Sequence, residues 1–115
     1  MKALGLVRDL IFRSKIDGAA EACGVEIGYV AELARLAERC AQLSPALIIV
    51  DLSDKLFDAR ETMAVISTAA PQAQVIGFAS HVEVSVFKAA REAGFNRVLS
   101  RQEFVAKLPA LLNGG

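Results

Sequence analysis

Two cysteines, one histidine, three prolines and no tryptophan are all that this 115-residue chain carries of those residue types. Cys23 and Cys40 follow no C-x-x-C spacing, which removes the usual zinc and dithiol motifs. Both fall on apolar helical faces and read as reduced core residues, which suits a reducing cytoplasm. His81, the single histidine, has no second imidazole with which to share a metal and reads as an exposed loop residue. No serine or cysteine triad accompanies it, so nucleophilic hydrolysis has no support. Charge of one sign is missing as well. Thirteen basic and thirteen acidic residues cancel, and binding to nucleic acid or to an anionic membrane needs a basic surplus. No apolar run approaches the ~20 residues of a membrane span. Arg8 and Asp9 interrupt the N-terminal stretch where a signal peptide would carry its apolar core. Neither G-x-x-x-x-G-K-[ST] nor G-x-G-x-x-G occurs, so neither phosphate-cradling loop is present. The first strand–helix join, VRDLIF, also lacks the glycines and hydroxyls of a flavin phosphate loop.

What the chain does have is apolar material in a regular order. Hydrophobic residues make up 54% of it, enough to build the core of one domain over residues 1–115. Short apolar runs at 3–7, 25–30, 46–51, 73–79 and 96–100 read as strands. Between them lie helical periodicities. Phe12, Ile16, Ala19, Ala20 and Cys23 share a face over 10–23, and Gly24 stops that helix. Leu33, Leu36, Ala37 and Cys40 do the same over 32–43, ahead of the breaker Ser44 and Pro45. A third helix over 58–70 is closed by Pro71. A fourth over 83–95 turns Val86, Ala90 and Ala93 inward and stops at Gly94. The last, over 102–112, buries Phe104, Leu108, Leu111 and Leu112, and Pro109 is expected to kink or shorten it. S-x-x-E occurs at Ser80 to Glu83 and again at Ser100 to Glu103, two capping boxes. Strict strand–helix alternation predicts a doubly wound α/β domain with a five-stranded parallel sheet.

The stretch LIIVDLSD, residues 47–54, carries the first chemical hint. An unbroken apolar run is a strand covered on both faces. Asp51 then stands where that strand leaves the sheet, the edge at which parallel sheets bind ligands. An aspartate there is also a common turn former.

The order ALGLVRD … LIIVDLSD … QVIGFAS … AAREAGFNRVLSR resembles the receiver domain of two-component response regulators, over about residues 2–112. The resemblance implies a (βα)5 flavodoxin-like fold with strand order 2-1-3-4-5. It implies a cytoplasmic signalling module rather than an enzyme, with a histidine kinase or another signalling protein as partner. In that family an aspartate ending strand three takes a phosphoryl group from a phosphohistidine. Two acids after strand one help hold Mg²⁺, and a hydroxyl after strand four and a lysine after strand five contact the phosphoryl group. Mg²⁺ suits such a site because it takes a few carboxylates plus waters and phosphate oxygens, and offsets the charge of transfer.

Carried over residue by residue, Asp51 matches the phosphoacceptor and Asp9 the second acid of the pair. Ser53 would lend the metal its carbonyl. Arg8 stands where the first acid belongs. The hydroxyl position falls on Ala79, or on Ser80 after a slip of one residue, and the lysine position on Arg101. Arg8 reverses a charge beside Asp51; two unit charges ~4 Å apart at an effective dielectric near 20 interact by ~4 kcal/mol. Pairing of Arg8 with Asp51 would hold the acid ionised and take the cation's seat, leaving a weak Mg²⁺ site or none. Arg101 keeps a positive charge but is a different donor from lysine. Two readings follow. One is a degenerate pseudo-receiver that works as a protein-interaction module; the other is a conventional Mg²⁺-dependent receiver phosphorylated on Asp51. The face of helix four, strand five and helix five would dock the partner or form a homodimer, with Val82, Val84 or Phe87 as an exposed apolar patch. Beside this stand plainer roles: Asp9 and Ser80 as helix caps, and Arg8 and Arg101 as surface charges.

Overall fold

Leu47–Asp51 (β3) is buried along its whole length, and a strand without a polar face belongs at the centre of a covered sheet. In the computed structural model, which describes residues 1–113, β3 lies between Lys2–Leu6 (β1) and Gln74–Ala79 (β4). Glu26–Tyr29 (β2) and Arg97–Ser100 (β5), the less buried strands, take the edges. All pairings are parallel and the order is β2-β1-β3-β4-β5. Gly114 and Gly115 of the terminal NGG lie outside the described residues.

Side chains alternate across each strand, and this sorts the core into two. Leu47 and Ile49 of β3 join Ala3, Ile76 and Phe78 on one face, under Leu10–Cys23 (α1) and Arg101–Leu112 (α5). Ile48 and Val50 join Leu4, Leu6 and Val75 on the other, under Leu36–Leu43 (α2), Ala59–Ala69 (α3) and Val84–Ala93 (α4). Continuing the alternation, Asp51 falls on the side of α1 and α5. That single consequence of the pleat decides which helices meet the carboxylate.

Two glycines have specific work here. Gly94 ends α4 at φ 102, a left-handed conformation that a side chain resists. Gly77, opposite Val50 in register, leaves room for Leu52: a Cβ there would lie 2.4 Å from Leu52 Cδ1 and 3.0 Å from Phe95 Cδ2. Leu52 can therefore fold down onto β4 directly after Asp51.

Four sequence expectations need correction. The second helix does not run unbroken from 32; a 3-10 turn, Leu33–Arg35, precedes α2, because Glu32 is extended and offers no side-chain cap. Ala37 is exposed, and Leu36, Cys40 and Leu43 form the buried stripe instead. Pro109 does not shorten α5, which continues to Leu112. The lost backbone bond and ring clash cost ~3 kcal/mol, but four fully buried large side chains, Phe104, Leu108, Leu111 and Leu112, each return ~1.5–3 kcal/mol. The fourth helix begins at Val84 with Glu83 as N-cap residue, and Ser80 is not its cap. Only half of the S-x-x-E box forms there: the Glu83 carboxylate accepts the Ser80 N–H, while the Glu83 N–H donates to the Ser80 carbonyl. At Ser100 both halves are present. Other boundaries differ from expectation by one or two residues.

Candidate functional site

Three strand ends deliver the site. β1 runs out at Leu6, and Asp9 caps α1 by accepting the N–H groups of Ile11 (2.9 Å) and Phe12 (3.2 Å) on Oδ1. β3 ends on Asp51, whose Oδ1 accepts the Ser53 N–H at 3.1 Å, a turn that carries the chain away from the sheet. β5 ends on Ser100, and Arg101 opens α5. Arg8, Asp9, Asp51, Ser53, Asp54, Lys55, Leu56 and Arg101 line one open cavity of about 770 Å³. The residues expected at one rim are thus together, apart from Ser80. Ala79 is wholly buried and projects into the core. Ser80 is half-buried and donates its N–H to Glu83 and to the Ser53 hydroxyl. A second, more apolar cavity of about 340 Å³ lies beyond the 52–58 loop, against Ser85, Val86 and Ala89, and contains neither Asp51 nor Asp9.

The expected Arg8–Asp51 pair is not made. Arg8 grips Asp54 in two-pronged fashion, Nε to Oδ2 at 2.6 Å and Nη2 to Oδ1 at 3.1 Å. The reason is depth. Asp51 is 5% exposed and turned to its own loop. Asp54, three residues on, stands at the rim where a fork-shaped guanidinium can meet both oxygens. Asp54 was passed over in the sequence, although an acid three residues after Asp51, facing a misplaced arginine, is a usable signal. Lys55 was likewise missed as a cavity-lining cation.

Arg101 approaches Asp51 but does not bond to it. Its guanidinium lies over the Phe12 ring, 5.6 Å from the centroid. Phe12 stacks on Phe78 at 5.0 Å, and Phe78 on Phe104 at 4.3 Å. Phe78 is the register partner of Asp51, so the carboxylate stands next to an aromatic floor. Burial accordingly pushes the Asp51 pKa up, against the Ser53 N–H and the charge of Arg101, which pull it down; Asp54 and Asp9 add to the rise. The two-pronged bond from Arg8 holds Asp54 below the usual carboxylate range.

The donor set is a poor fit to Mg²⁺. Three carboxylates line the cavity, but so do three cations, Arg8, Lys55 and Arg101. Both Asp54 oxygens are taken by Arg8. Among the described residues, no group of three or more His, Cys, Asp or Glu side chains is arranged to hold a metal ion.

A parallel sheet ordered 2-1-3-4-5, with an aspartate closing its central strand and helices on both faces, is the flavodoxin-like receiver fold. Comparison with solved structures agrees. A response regulator from Hahella chejuensis superposes with a TM-score of 0.83 at 16% identity, covering 96% of this chain and 91% of that one. The receiver domain of a sensor histidine kinase from Pseudomonas aeruginosa, with magnesium coordinated in its active-site cleft, gives 0.81 at 15%, covering 98% and 94%. An orphan response regulator of Helicobacter pylori gives 0.77 at 16%, covering 97% and 96%. No protein-family model and no curated protein matches the sequence. Among the described residues no helix is long and apolar enough to cross a membrane.

Proposed function

We propose that this chain is a pseudo-receiver: a cytoplasmic signalling module with the receiver fold that acts by binding other proteins, without a metal-assisted phosphoryl step. The observation that carries the reading is the two-pronged Arg8–Asp54 pair. A guanidinium occupies the side of the cavity where a receiver keeps an acid, and the lining charges balance at three against three without any added cation. A divalent ion entering such a cavity gains no net negative field to offset its dehydration. Asp9, Asp51 and Ser53 then form a weak Mg²⁺ site at best, and Arg101 serves as a fixed cation on Phe12 rather than a phosphoryl ligand. The partner, a histidine kinase or another signalling protein, or a second copy of the chain, docks on the face of α4, β5 and α5.

One observation favours the conventional alternative, the position of Asp51 itself at the end of the central strand with cations nearby. The two are separated by titration with Mg²⁺, followed by a small-molecule phosphodonor or beryllofluoride and intact-mass measurement. The expected result is no affinity at millimolar Mg²⁺ and no added phosphoryl group, with Arg8→Asp restoring metal binding. A phosphoryl mass gain that disappears in Asp51→Asn would overturn the pseudo-receiver reading.

A further inference from the structure

We infer that Arg13 is a positioning residue: it clamps the turn after β1 so that Arg8 is aimed at Asp54, with Tyr29 as its platform. The inference rests on reading the Arg8–Asp54 pair as the device that fills the cation's place in the cavity. Such a pair is hard to hold at a surface. Arg8 is exposed, and ordering a long exposed side chain offsets most of what its ion pair contributes. A rigid backbone beneath it reduces that cost, because less freedom remains to be lost.

The turn has such a support. The register pairing of β1 ends at Leu6, so the Val7 carbonyl lies beyond the ladder. It accepts the Nε–H of Arg13 instead. Two residues on, the Asp9 carbonyl accepts the Arg13 backbone N–H at 2.9 Å, and the Asp9 carboxylate caps α1. Val7 is thus held by the Arg13 side chain and Asp9 by the Arg13 main chain, with Arg8 between them. Arg13 is held in turn. Its guanidinium lies over the Tyr29 ring, 4.6 Å from the centroid. The Tyr29 hydroxyl donates to Asp17 Oδ1 at 2.6 Å, with the Arg13 carbonyl at 3.2 Å. The ring lies against Gly5 of β1, where a Cβ would stand 2.8 Å from its Cδ1 and Cε1 atoms. Support therefore runs from the edge strand β2 to the backbone of Arg8. General packing of α1 does not require it. Phe12, Ile16, Ala19 and Ala20 supply that packing, while the Arg13 side chain is committed to one carbonyl beside the stripe.

The test is NMR on the full chain, without metal or phosphodonor, reading the Arg8 Nε–H that donates to Asp54. The signal is identified by its loss in Arg8→Lys and is expected to exchange slowly in the wild type. Arg13→Ala is expected to speed that exchange about tenfold or more, the effect of one lost hydrogen bond from a charged group. Arg13→Met keeps the apolar stem over Tyr29 without the Nε–H, and carries the same expectation where Arg13→Ala does not fold. Tyr29→Leu removes the platform and is expected to give part of the effect; Tyr29→Phe keeps the ring and is expected to leave the signal unchanged. Ile16→Val loosens α1 in the core without touching Val7, and is expected to leave it unchanged as well. An Arg8 signal indifferent to the Arg13 variants, one equally affected by Ile16→Val, or one unprotected in the wild type overturns the proposal. A phosphorylated Asp51 would sink the pseudo-receiver reading and leave this result standing, and failure of the clamp would leave the Mg²⁺ and phosphorylation results untouched.

Discussion

Asp51 pays twice for its position: it is buried beside a phenylalanine stack, and it shares its cavity with two other carboxylates. Its folded-state pKa is therefore raised above the unfolded value of about 3.9. For a raised carboxyl, folding favours the protonated form. The penalty of holding it ionised is present at neutral pH, fades as pH falls through the folded pKa, and is gone below the unfolded one. Asp51→Asn keeps an Oδ1 acceptor for the Ser53 N–H and removes the charge. The variant is expected to melt higher than the wild type at pH 7, by about 4–8 °C if the penalty is ~1 kcal/mol, and the gap is expected to close by about pH 3.5. Melting curves that coincide at pH 7, or a gap that widens on acidification, would refute this. Asp54 carries the opposite sign: its pKa is depressed by Arg8, so its contribution is present at neutral pH and is lost as pH falls through its folded value. Residues 9, 51 and 101 line one cavity; Asp51 was legible in the sequence as the end of a buried strand, and Asp9 and Arg101 only through the resemblance to receiver domains. The partner of Arg8 was not. It depends on how far the aperiodic turn at 52–54 carries Asp54 to the rim, and no periodicity encodes that. Glu83 was visible only as half of a cap, because its bond to Ser53 spans 30 residues of sequence.

At the scale of elements, two copies of one signal have different outcomes. Ser100 and Glu103 close a full capping box on α5. Ser80 and Glu83 form only the carboxylate half, because the Glu83 N–H donates to the Ser80 carbonyl instead of its hydroxyl. Ser100→Ala is expected to cost about 1 kcal/mol, the usual loss for a working cap, while Ser80→Ala is expected to cost a few tenths at most, since its hydroxyl caps nothing. Urea midpoints for the two variants measure this directly, and equal losses would show that both serines cap. The α1 helix matched its predicted span because Asp9 and Gly24 mark its two ends chemically. The 3-10 turn before α2 was hidden, since Leu33 to Arg35 keep apolar spacing and only the absent cap distinguishes them. The span of α5 was legible through its buried stripe, which outweighed the proline rule.

Over the whole molecule, the exposed large hydrophobic side chains among the described residues are unevenly spread. Apart from Met1, all of them, Leu10, Ile11, Leu56, Val82 and Val84, stand beyond the C-terminal ends of the strands, on the rim that holds the charged cavity. Val82 and Val84 are each 72% exposed, as expected for an apolar patch beside α4, whereas Phe87 is half-buried against the core with Arg91 over its ring. Two valines fully covered contribute roughly 3–6 kcal/mol per partner, against an association cost of at least ~4 kcal/mol. That balance supports contact in the micromolar to millimolar range rather than a permanent dimer, which would bury well over ~1,000 Å². The prediction is self-association through the face of α4, β5 and α5 that strengthens with concentration in sedimentation velocity. The pair Val82→Asp and Val84→Asp is expected to abolish it, and Leu10→Asp, on the α1 side of the rim, to leave it intact. A chain that stays monomeric at the highest concentration, or a dimer indifferent to the two valines, would rule out this face as the site of self-association.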